Sequence, residues 1–317
     1  MRGSQRIAVT GSSGLIGTAL VRSLRADGHQ VVRLVRRPPR SADEVRWDPT
    51  RLGVPPARTG LRARGTVDAA GLAGCQAVVH LAGAGIADRR WTADRKREIR
   101  DSRVLGTAAL AEALASLDTP PAVLVSGSAI GVYGYPGDRP VDEEAPEGDG
   151  FLARVCHDWE AAAGPAAEAG IRTVFARTGL VVAREGGAWA RLFPLFRLGL
   201  GGRLGSGEQY WSFIALADHI AALRHLIDTE ELSGPVNLTA PEPATNREVT
   251  AAMSRVLHRP ALLPVPAPAL RLALGEMAGD VLGGQRVLPR RLLDSGFTFA
   301  HPRIDDAIRA AAHSPHR

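Results

Sequence analysis

Lysine is almost missing from this chain. Of 39 basic residues in 317, Lys96 is the only lysine and the rest are arginine. Tyrosine is scarce too, with Tyr133, Tyr135 and Tyr210 making up the whole set. Chemistry that needs a phenol beside an ammonium group therefore has few places to sit. The two cysteines, Cys75 and Cys156, are far apart and share no metal-ligand spacing, so reduced structural thiols and no bound metal are expected. No apolar run approaches the roughly 18 residues of a membrane span. The chain enters its first strand without the apolar stretch of a secretory leader. A cytoplasmic protein with no membrane partner is the expectation. The net charge of +6 invites a nucleic-acid partner, but acidic residues are interspersed throughout and no block of about five like charges occurs. No nucleic acid is expected. The last residues, His313-Ser-Pro-His-Arg317, read as a frayed end. Apolar residues reach 45% with no low-complexity tract, which suits one large α/β domain or two unequal ones.

What is present starts near the N-terminus. Residues 7–17 read Ile-Ala-Val-Thr-Gly-Ser-Ser-Gly-Leu-Ile-Gly: an apolar strand, glycines at 11, 14 and 17, then a helical pattern through Leu20, Val21 and Leu24. Gly11 permits a tight turn at the strand end, Gly14 lets a pyrophosphate approach the backbone, and Gly17 lets the helix pack close to the strand. The helix start faces the phosphates with unpaired N–H groups and the positive end of its dipole. The second strand ends Arg33-Leu-Val-Arg-Arg37, and no acidic residue follows until Asp43. A carboxylate there would take a ribose 2′-hydroxyl and favour NAD, whereas guanidinium groups can clamp a 2′-phosphate. NADP(H) is therefore favoured, with Arg36 the first contact and Arg37 the next. The alternative is that both arginines only solvate a strand end.

Along the chain, strands are expected at 7–10, Gln30–Val35, Ala77–Leu81, Val123–Ser126 and 172–176. Helices are expected at 15–27, within 92–116 (one or two) and at 154–169. Residues 36–65, rich in Arg, Pro and Gly, read as weak strands and loops. This alternation implies a Rossmann-type, doubly wound parallel sheet. After about residue 180 the rhythm breaks. Gly199–Gly207 reads as a flexible glycine-dense loop, followed by a short helix at 217–228 and a short strand at 236–238. The expected division is a nucleotide-binding domain over 1–180 and a smaller substrate-binding region over 181–317, packed on the sheet's carboxyl edge.

The spacing Thr10-Gly-x-x-Gly-x-x-Gly17 resembles the signature of short-chain dehydrogenases/reductases, most closely their extended and atypical branches. In the extended enzymes, a serine on the strand end before a Tyr-Gly hydrogen-bonds the substrate oxygen. Within Leu124-Val-Ser-Gly-Ser-Ala-Ile-Gly-Val-Tyr-Gly134, Ser128 matches that position. Those enzymes also use a Tyr-x-x-x-Lys pair on the next helix as acid/base. This chain cannot have one. Lys96 follows Thr92 by four, and the tyrosines are followed at that spacing by Gly137, Arg139 and Ile214. Aligning Glu160 with the family's acidic residue puts Leu152 and Cys156 in the places of Tyr and Lys. Tyr133 is the first replacement candidate as proton donor, although an unassisted phenol is a poor base at neutral pH. Cys156 and His157 are weaker ones.

Taken together, the chain resembles the atypical short-chain dehydrogenases described as nucleoside-diphosphate-sugar-epimerase-like, or cell-division-inhibitor-like. The carrying segments include Val9–Gly17, Val78–Gly83, Arg90-Trp-Thr92, Asp101-Ser-Arg-Val104, Ser126–Ala129, Phe151–Cys156 with Trp159-Glu160, Arg177-Thr-Gly179, Trp211–Ile214 and Asn237–Pro241. The resemblance implies a Rossmann sheet, bound NADPH and a small C-terminal substrate region. Carried over, the pyrophosphate loop is Gly11, Ser12, Ser13, Gly14, Leu15, Ile16 and Gly17. His80, Leu81, Ala82 and Gly83 pass along the adenosine and ribose. Ser126 and Ser128 approach the nicotinamide, and Arg177, Thr178 and Gly179 touch its other side. Trp91, Arg103, Gln209 and Trp211 line a pocket or, for the tryptophans, pack in the core. Arg103 has its own alternative, a structural pair with an acidic neighbour.

The expected function is an NADP(H)-dependent oxidoreductase on a small carbonyl or hydroxyl substrate, with Ser128 polarising the oxygen. A nucleotide-sugar epimerase is the enzymatic alternative, and a non-catalytic NADPH-binding sensor or assembly factor is the other. Extended-type relatives often form homodimers through helices flanking the sheet, so a homodimer is compatible with the resemblance.

Overall fold

The computed structural model describes residues 3–49 and 66–313. Residues 50–65 of the Arg-, Pro- and Gly-rich stretch, and the tail at 314–317, lie outside the described residues. The nucleotide-binding half runs β1 (Arg6–Thr10), α1 (Leu15–Ala26), β2 (Gln30–Val35), β3 (Glu44–Asp48), β4 (Thr66–Val67), β5 (Ala77–His80), α2 (Ala93–Ala115), β6 (Val123–Ala129), β7 (Pro140–Val141), α3 (Phe151–Ala161), α4 (Gly164–Glu168) and β8 (Arg172–Thr178). There follow β9 (Leu180–Val182), α5 (Trp189–Arg197), β10 (Tyr210–Trp211), β11 (Phe213–Ala215), α6 (Leu216–Asp228), β12 (Gly234–Leu238), β13 (Ala244–Thr245) and α7 (Asn246–Leu257). The chain ends with α8 (Ala267–Leu274), α9 (Ala278–Gly283), β14 (Arg286–Val287), α10 (Arg290–Asp294) and α11 (Ile304–His313).

The main sheet has eight strands in the order β12-β8-β6-β5-β1-β2-β3-β4. All its pairings are parallel except the terminal β3–β4. Its central strands are nearly continuous apolar runs because both faces are covered. On one face Ile7, Val9, Val79 and Val125 pack against Leu20 and Leu24 of α1 and Leu223 and Leu226 of α6. On the other, Ala8, Val32, Val78 and Leu124 meet Leu110 and Leu114 of α2 and Ala166 of α4. The strand order reverses at β1, which has β2 on one side and β5 on the other. The loops leaving β1 and β5 therefore diverge, and the crevice between them is where ligands of open α/β sheets bind.

Several expectations of element boundaries change. The 154–169 helix is two helices broken at 162–163, the 92–116 segment is a single helix, and the 123–126 strand extends to Ala129. The sheet also does not end near residue 180. After an excursion through α5, the chain returns in α6 and adds β12 beside β8, with Val236 opposite Ala176. Helix α6 lies along α1, tied by Arg224 to Ser23 Oγ at 2.8 Å and to Asp27. The region over 181–317 thus contributes both an edge strand and a covering helix to the nucleotide-binding sheet. What remains outside it gathers around Trp189, Phe193, Trp211 and Phe213, enclosed by α5, α7 and α11. The glycine-dense loop is not loose. Leu204 bridges Val265 and donates its N–H to Asn246 Oδ1 at 2.7 Å, and a Cβ on Gly202 would fall 1.9 Å from the Leu263 carbonyl oxygen.

Candidate functional site

The three glycines of the first loop have three different reasons to be glycine. Gly11 has φ +63°, and a Cβ there would lie 2.8 Å from the Leu81 carbonyl, so the loop presses on the end of β5. A Cβ on Gly17 would lie 2.2 Å from the Gly11 carbonyl oxygen, which fixes how closely α1 seats on the turn. Gly14 is exposed, and a Cβ on it would meet only the Gly11 carbonyl oxygen, at 3.3 Å. It is also the N-cap of α1, with no side-chain cap and no acidic residue in the first turn. A helix start leaves its first N–H groups without intrahelical partners; here the Gly14 N–H goes to the Gly11 carbonyl at 3.0 Å, and among the described residues no side chain caps the turn that follows. Ser12 and Ser13 lie on the open side of this turn, and Leu15 packs beneath Gly186. Ile16 packs on the sheet core. These features fit a dinucleotide pyrophosphate.

A row of polar side chains crosses the carboxyl ends of the strands on the α2–α3 face. Thr10, His80 and Ser126 stand opposite one another in register. Thr10 Oγ1 accepts the N–H groups of Leu81 and Ala82 at 3.0 and 3.2 Å, so its own hydrogen goes to His80 Nδ1 at 2.7 Å. His80 Nε2 then carries the ring hydrogen, with no acceptor among the described residues, and Trp47 stands edge-on to the ring at 5.7 Å. Burial lowers the His80 pKa to about 4. His80 is 0% exposed, so its side chain pins β5 to β1 through Thr10 and is not itself open to a ligand. Ser126 is likewise fully enclosed, and among the described residues its hydroxyl reaches only the Gly127 carbonyl at 3.4 Å. It does not present a side chain to a nicotinamide.

The next row, two residues on, holds Ser128, Arg177 and Asn237, again in register. Ser128 Oγ donates to Glu160 Oε1 at 2.6 Å. Arg177 grips the same carboxylate with Nε and Nη2, both at 2.8 Å, and donates Nη1 to the Tyr133 hydroxyl at 3.0 Å. Tyr133 passes its hydrogen to Asn237 Oδ1 at 2.8 Å. Asn237 is held in turn by the Leu288 carbonyl and by Glu143 Oε1, which takes its backbone N–H at 2.9 Å. Two expectations are corrected here, those for the side chains of Tyr133 and Arg177. Tyr133 is 4% exposed with both sides of its hydroxyl engaged, and burial pushes its pKa up against the opposing pull of Arg177. That is the reverse of what a proton donor at neutral pH needs. Arg177 spends its donors inward. Thr178 Oγ1 donates to the Ala176 carbonyl and meets His219 Nε2 at 3.1 Å. Gly179 is required for packing, since a Cβ would lie 2.5 Å from the Ser212 carbonyl oxygen.

On α3, Leu152 and Cys156 face the serine loop: a Cβ on Gly131 would lie 3.3 Å from Leu152 Cβ and 3.9 Å from Cys156 Sγ. Burial pushes the Cys156 thiol up to about 12, so it is no acid/base group at neutral pH. His157 is on the exposed side of α3, paired with Glu147 at 2.8 Å. Glu160, one turn beyond Cys156 on the same face, is the residue the functional reading missed. Its signal was the i, i+4, i+8 spacing from Leu152.

At the end of β2, Arg36 is exposed, and none of the described hydrogen bonds or ion pairs involves it. Arg37 differs: Nη1 and Nη2 form a fork on Glu44 at 2.7 and 2.6 Å. The expectation of Arg37 as a free cofactor contact is corrected by that pairing.

The pocket candidates separate. Trp91 donates Nε1 to the Ile86 carbonyl at 2.8 Å and lies edge-on to Phe151 at 5.1 Å. Arg103 donates Nη1 to the Ala84 and Ile99 carbonyls, at 2.9 and 3.0 Å, and stacks over Trp159. It packs beside Gly83, where a Cβ would come within 3.2 Å of its guanidinium carbon, so the pair it makes is with backbone and an aromatic ring rather than an acid. Burial lowers its pKa. Gln209 donates to the Leu204 carbonyl at 2.9 Å. Trp211 is buried in the C-terminal core, edge-on to Trp189. Trp211 thus takes the packing alternative, and Gln209, half-buried, holds the glycine-dense loop.

A reversed strand order, a glycine cradle at its switch point and an uncapped helix start define a nucleotide-binding α/β protein of the Rossmann type. The chain belongs to the NAD dependent epimerase/dehydratase family, whose sequence model matches residues 7–238. That span ends on the last residue of β12. A domain of unknown function, DUF1731, matches residues 265–311. An epimerase family protein of Mycobacterium bovis, Mb2239, is 46% identical over 310 residues, covering 98% of each chain. The human epimerase family protein SDR39U1 is 33% identical over 308 residues, covering 96% of this chain and 98% of that one. The crystal structure of human SDR39U1 (isoform 2) with NADPH superposes with a TM-score of 0.85 at 32% identity, covering 98% of this chain and 100% of that chain. The chain is thus an SDR39U1-like atypical short-chain dehydrogenase/reductase by sequence and by fold. Among the described residues, no helix is long and apolar enough to cross a membrane.

Proposed function

We propose that this protein is an NADP(H)-dependent oxidoreductase acting on a small hydroxyl or carbonyl compound in the cytoplasm. The observation that carries the reading is the open backbone at Gly14 beneath an uncapped helix start. Arg36, at the neighbouring strand end, supplies a guanidinium for the 2′-phosphate. The NADPH of the human SDR39U1 structure supports the choice of cofactor. Bound NADP(H) would supply or accept the hydride, and the protein would orient the partner.

Ser128, as buried as Tyr133, is the residue that the resemblance sets beside the reacting oxygen, and its role in this reading follows from its hydrogen bond. Its hydrogen is given to Glu160, so its oxygen retains lone pairs for a donor. It would accept from a substrate hydroxyl rather than donate to a carbonyl, and the hydroxyl proton would pass to water. This narrows the expectation that Ser128 polarises the oxygen of a carbonyl or hydroxyl substrate to the hydroxyl. The epimerase alternative needs a base for reversible oxidation, as the oxidoreductase does, and Leu152 and Cys156 provide one for neither.

A second reading has its own support. With an apolar side chain and a buried thiol facing Gly131, a non-catalytic NADPH-binding protein would look the same at α3. The test is titration with NADPH and NADH by fluorescence and thermal shift, followed by a screen of small carbonyls with NADPH and small alcohols with NADP⁺. Tight NADPH binding with turnover supports the enzyme. Tight binding with no turnover supports the second reading, and binding of neither cofactor sinks both.

A further inference from the structure

Four arginines crowd the end of β2 and its return into β3, and two carboxylates sort them. Glu44 opens β3 opposite Arg33, and its side chain is 1% exposed. It takes the Arg37 fork through both oxygens, the Arg40 backbone N–H on Oε2 at 2.8 Å, and Arg33 Nη2 on Oε1 at 2.9 Å. Asp43 takes Arg33 Nε at 3.3 Å and Arg25. Asp43 also accepts the Ser41 hydroxyl. A carboxylate with this many charge-assisted partners cannot release one cheaply. These arrangements leave two guanidiniums without a hydrogen bond or ion pair among the described residues, that of Arg36, directly past the last residue of β2, and that of Arg40, four residues further along, which gives Glu44 only its backbone N–H.

We propose that Glu44 sets cofactor selectivity by subtraction: it neutralises Arg37 and part of Arg33, so that of the two arginines at the end of β2 only Arg36 is left to recognise a 2′-phosphate. Selectivity for NADP(H) over NAD(H) then depends on one exposed guanidinium and is held below what the local arginine content would give. Without Glu44's charge, Arg37 would be free to add a second bidentate donor set to the phosphate. The Glu44 carboxyl, held near a pKa of about 2 by the Arg37 fork first and the Arg40 N–H next, stays ionised throughout the neutral range, so the subtraction is constant. This inference rests on the NADP(H) reading above.

The experiment is equilibrium titration of the purified full chain with NADPH and with NADH, by fluorescence, for the wild type and for R36A, R37Q and E44Q. Thermal melting of each variant is recorded without cofactor. R36A should lose about 10- to 100-fold in NADPH affinity, the range of a charge-assisted contact, while NADH affinity stays put, so that the two cofactors bind alike. R37Q should cost no more than about threefold, as expected for a screened charge outside the contact. E44Q should raise NADPH affinity about 3- to 10-fold and leave NADH unchanged, since it frees a guanidinium for one more charge-assisted contact. A clear NADPH preference surviving in R36A overturns the inference. So does an R37Q loss as large as that of R36A, or an E44Q protein that melts like the wild type without gaining NADPH affinity. If E44Q fails to fold, the R36A and R37Q pair still decides. A wild type that binds both cofactors equally removes the NADP(H) reading itself, a result separate from loss of the Glu44 role with the preference intact.

Discussion

Ser128 and Arg177 sit opposite each other on neighbouring strands and hold the same carboxylate, that of Glu160. The serine is thereby oriented by an ion pair that is itself almost fully enclosed. Removing one partner of such a pair strands the other. Glu160→Ala should cost about 3–5 kcal/mol in urea unfolding. Ser128→Ala should cost only about 1 kcal/mol and, in the oxidoreductase reading, abolish most turnover. A Ser128→Ala protein that is stable and fully active would remove Ser128 from the reaction.

Tyr133 provides the contrast. Tyr133→Phe deletes a hydroxyl that joins Arg177 to Asn237 and leaves two buried groups each short of a partner. The expected destabilisation is about 1–3 kcal/mol, with any turnover per folded molecule retained. Loss of turnover in a fully folded Tyr133→Phe protein would restore the phenol as proton donor.

Gly14 and Gly17 should separate folding from cofactor binding. Gly14 has φ −76°, ordinary for any residue, and an added Cβ meets only the Gly11 carbonyl oxygen at 3.3 Å, so Gly14→Ala at this N-cap should cost the free protein no more than about 1 kcal/mol. It should weaken NADPH binding, because the added methyl occupies the face a pyrophosphate approaches. Gly17→Ala places its methyl 2.2 Å from the Gly11 carbonyl oxygen and should lower the melting temperature itself. Equal behaviour of the two in thermal melts would contradict this division.

Acid should destabilise the fold through two histidines. Burial lowers His80 to about 4 and His219 to about 3, from 6.5. Both are neutral in the folded state, so their stabilisation is complete above pH 6.5. Below it, the unfolded chain takes up protons that the folded chain refuses. Stability should fall as pH drops from 6.5 towards 4, by about 3 kcal/mol for each histidine in order of magnitude. Urea midpoints across that range for the wild type and His80→Asn check this: the variant should show the shallower slope.

The first β-α-β unit could be read from residues alone because its determinants are local: glycines between an apolar strand and an amphipathic helix. The positions of Leu152, Cys156 and Glu160 were legible for the same reason, since helical periodicity sets them on one face. What escaped depends on partners distant in sequence. Nothing near Arg37 announces that Glu44 will hold it once β3 pairs with β2. His80 looks like a wall residue until β1 brings Thr10 to it. The strand at 234–238 is separated from β8 by more than fifty residues, including a second apolar cluster, so its return to the main sheet has no local mark. Tyr133 and Trp211 carry the composition of ligand contacts, and only the surrounding packing shows them enclosed.

The bond between Thr10 and His80, with the two amides that Thr10 also gathers, has a calorimetric consequence. It fixes the gap between the first and fifth strand ends before any nucleotide arrives. The binding crevice is braced from behind by the protein's own interior, so little backbone ordering is left for the ligand to drive. Association should show a small entropic penalty and nearly the same amide exchange protection in Leu81 and Ala82 with and without nucleotide. Cutting the brace, as in Thr10→Val, would transfer that ordering cost to the binding step.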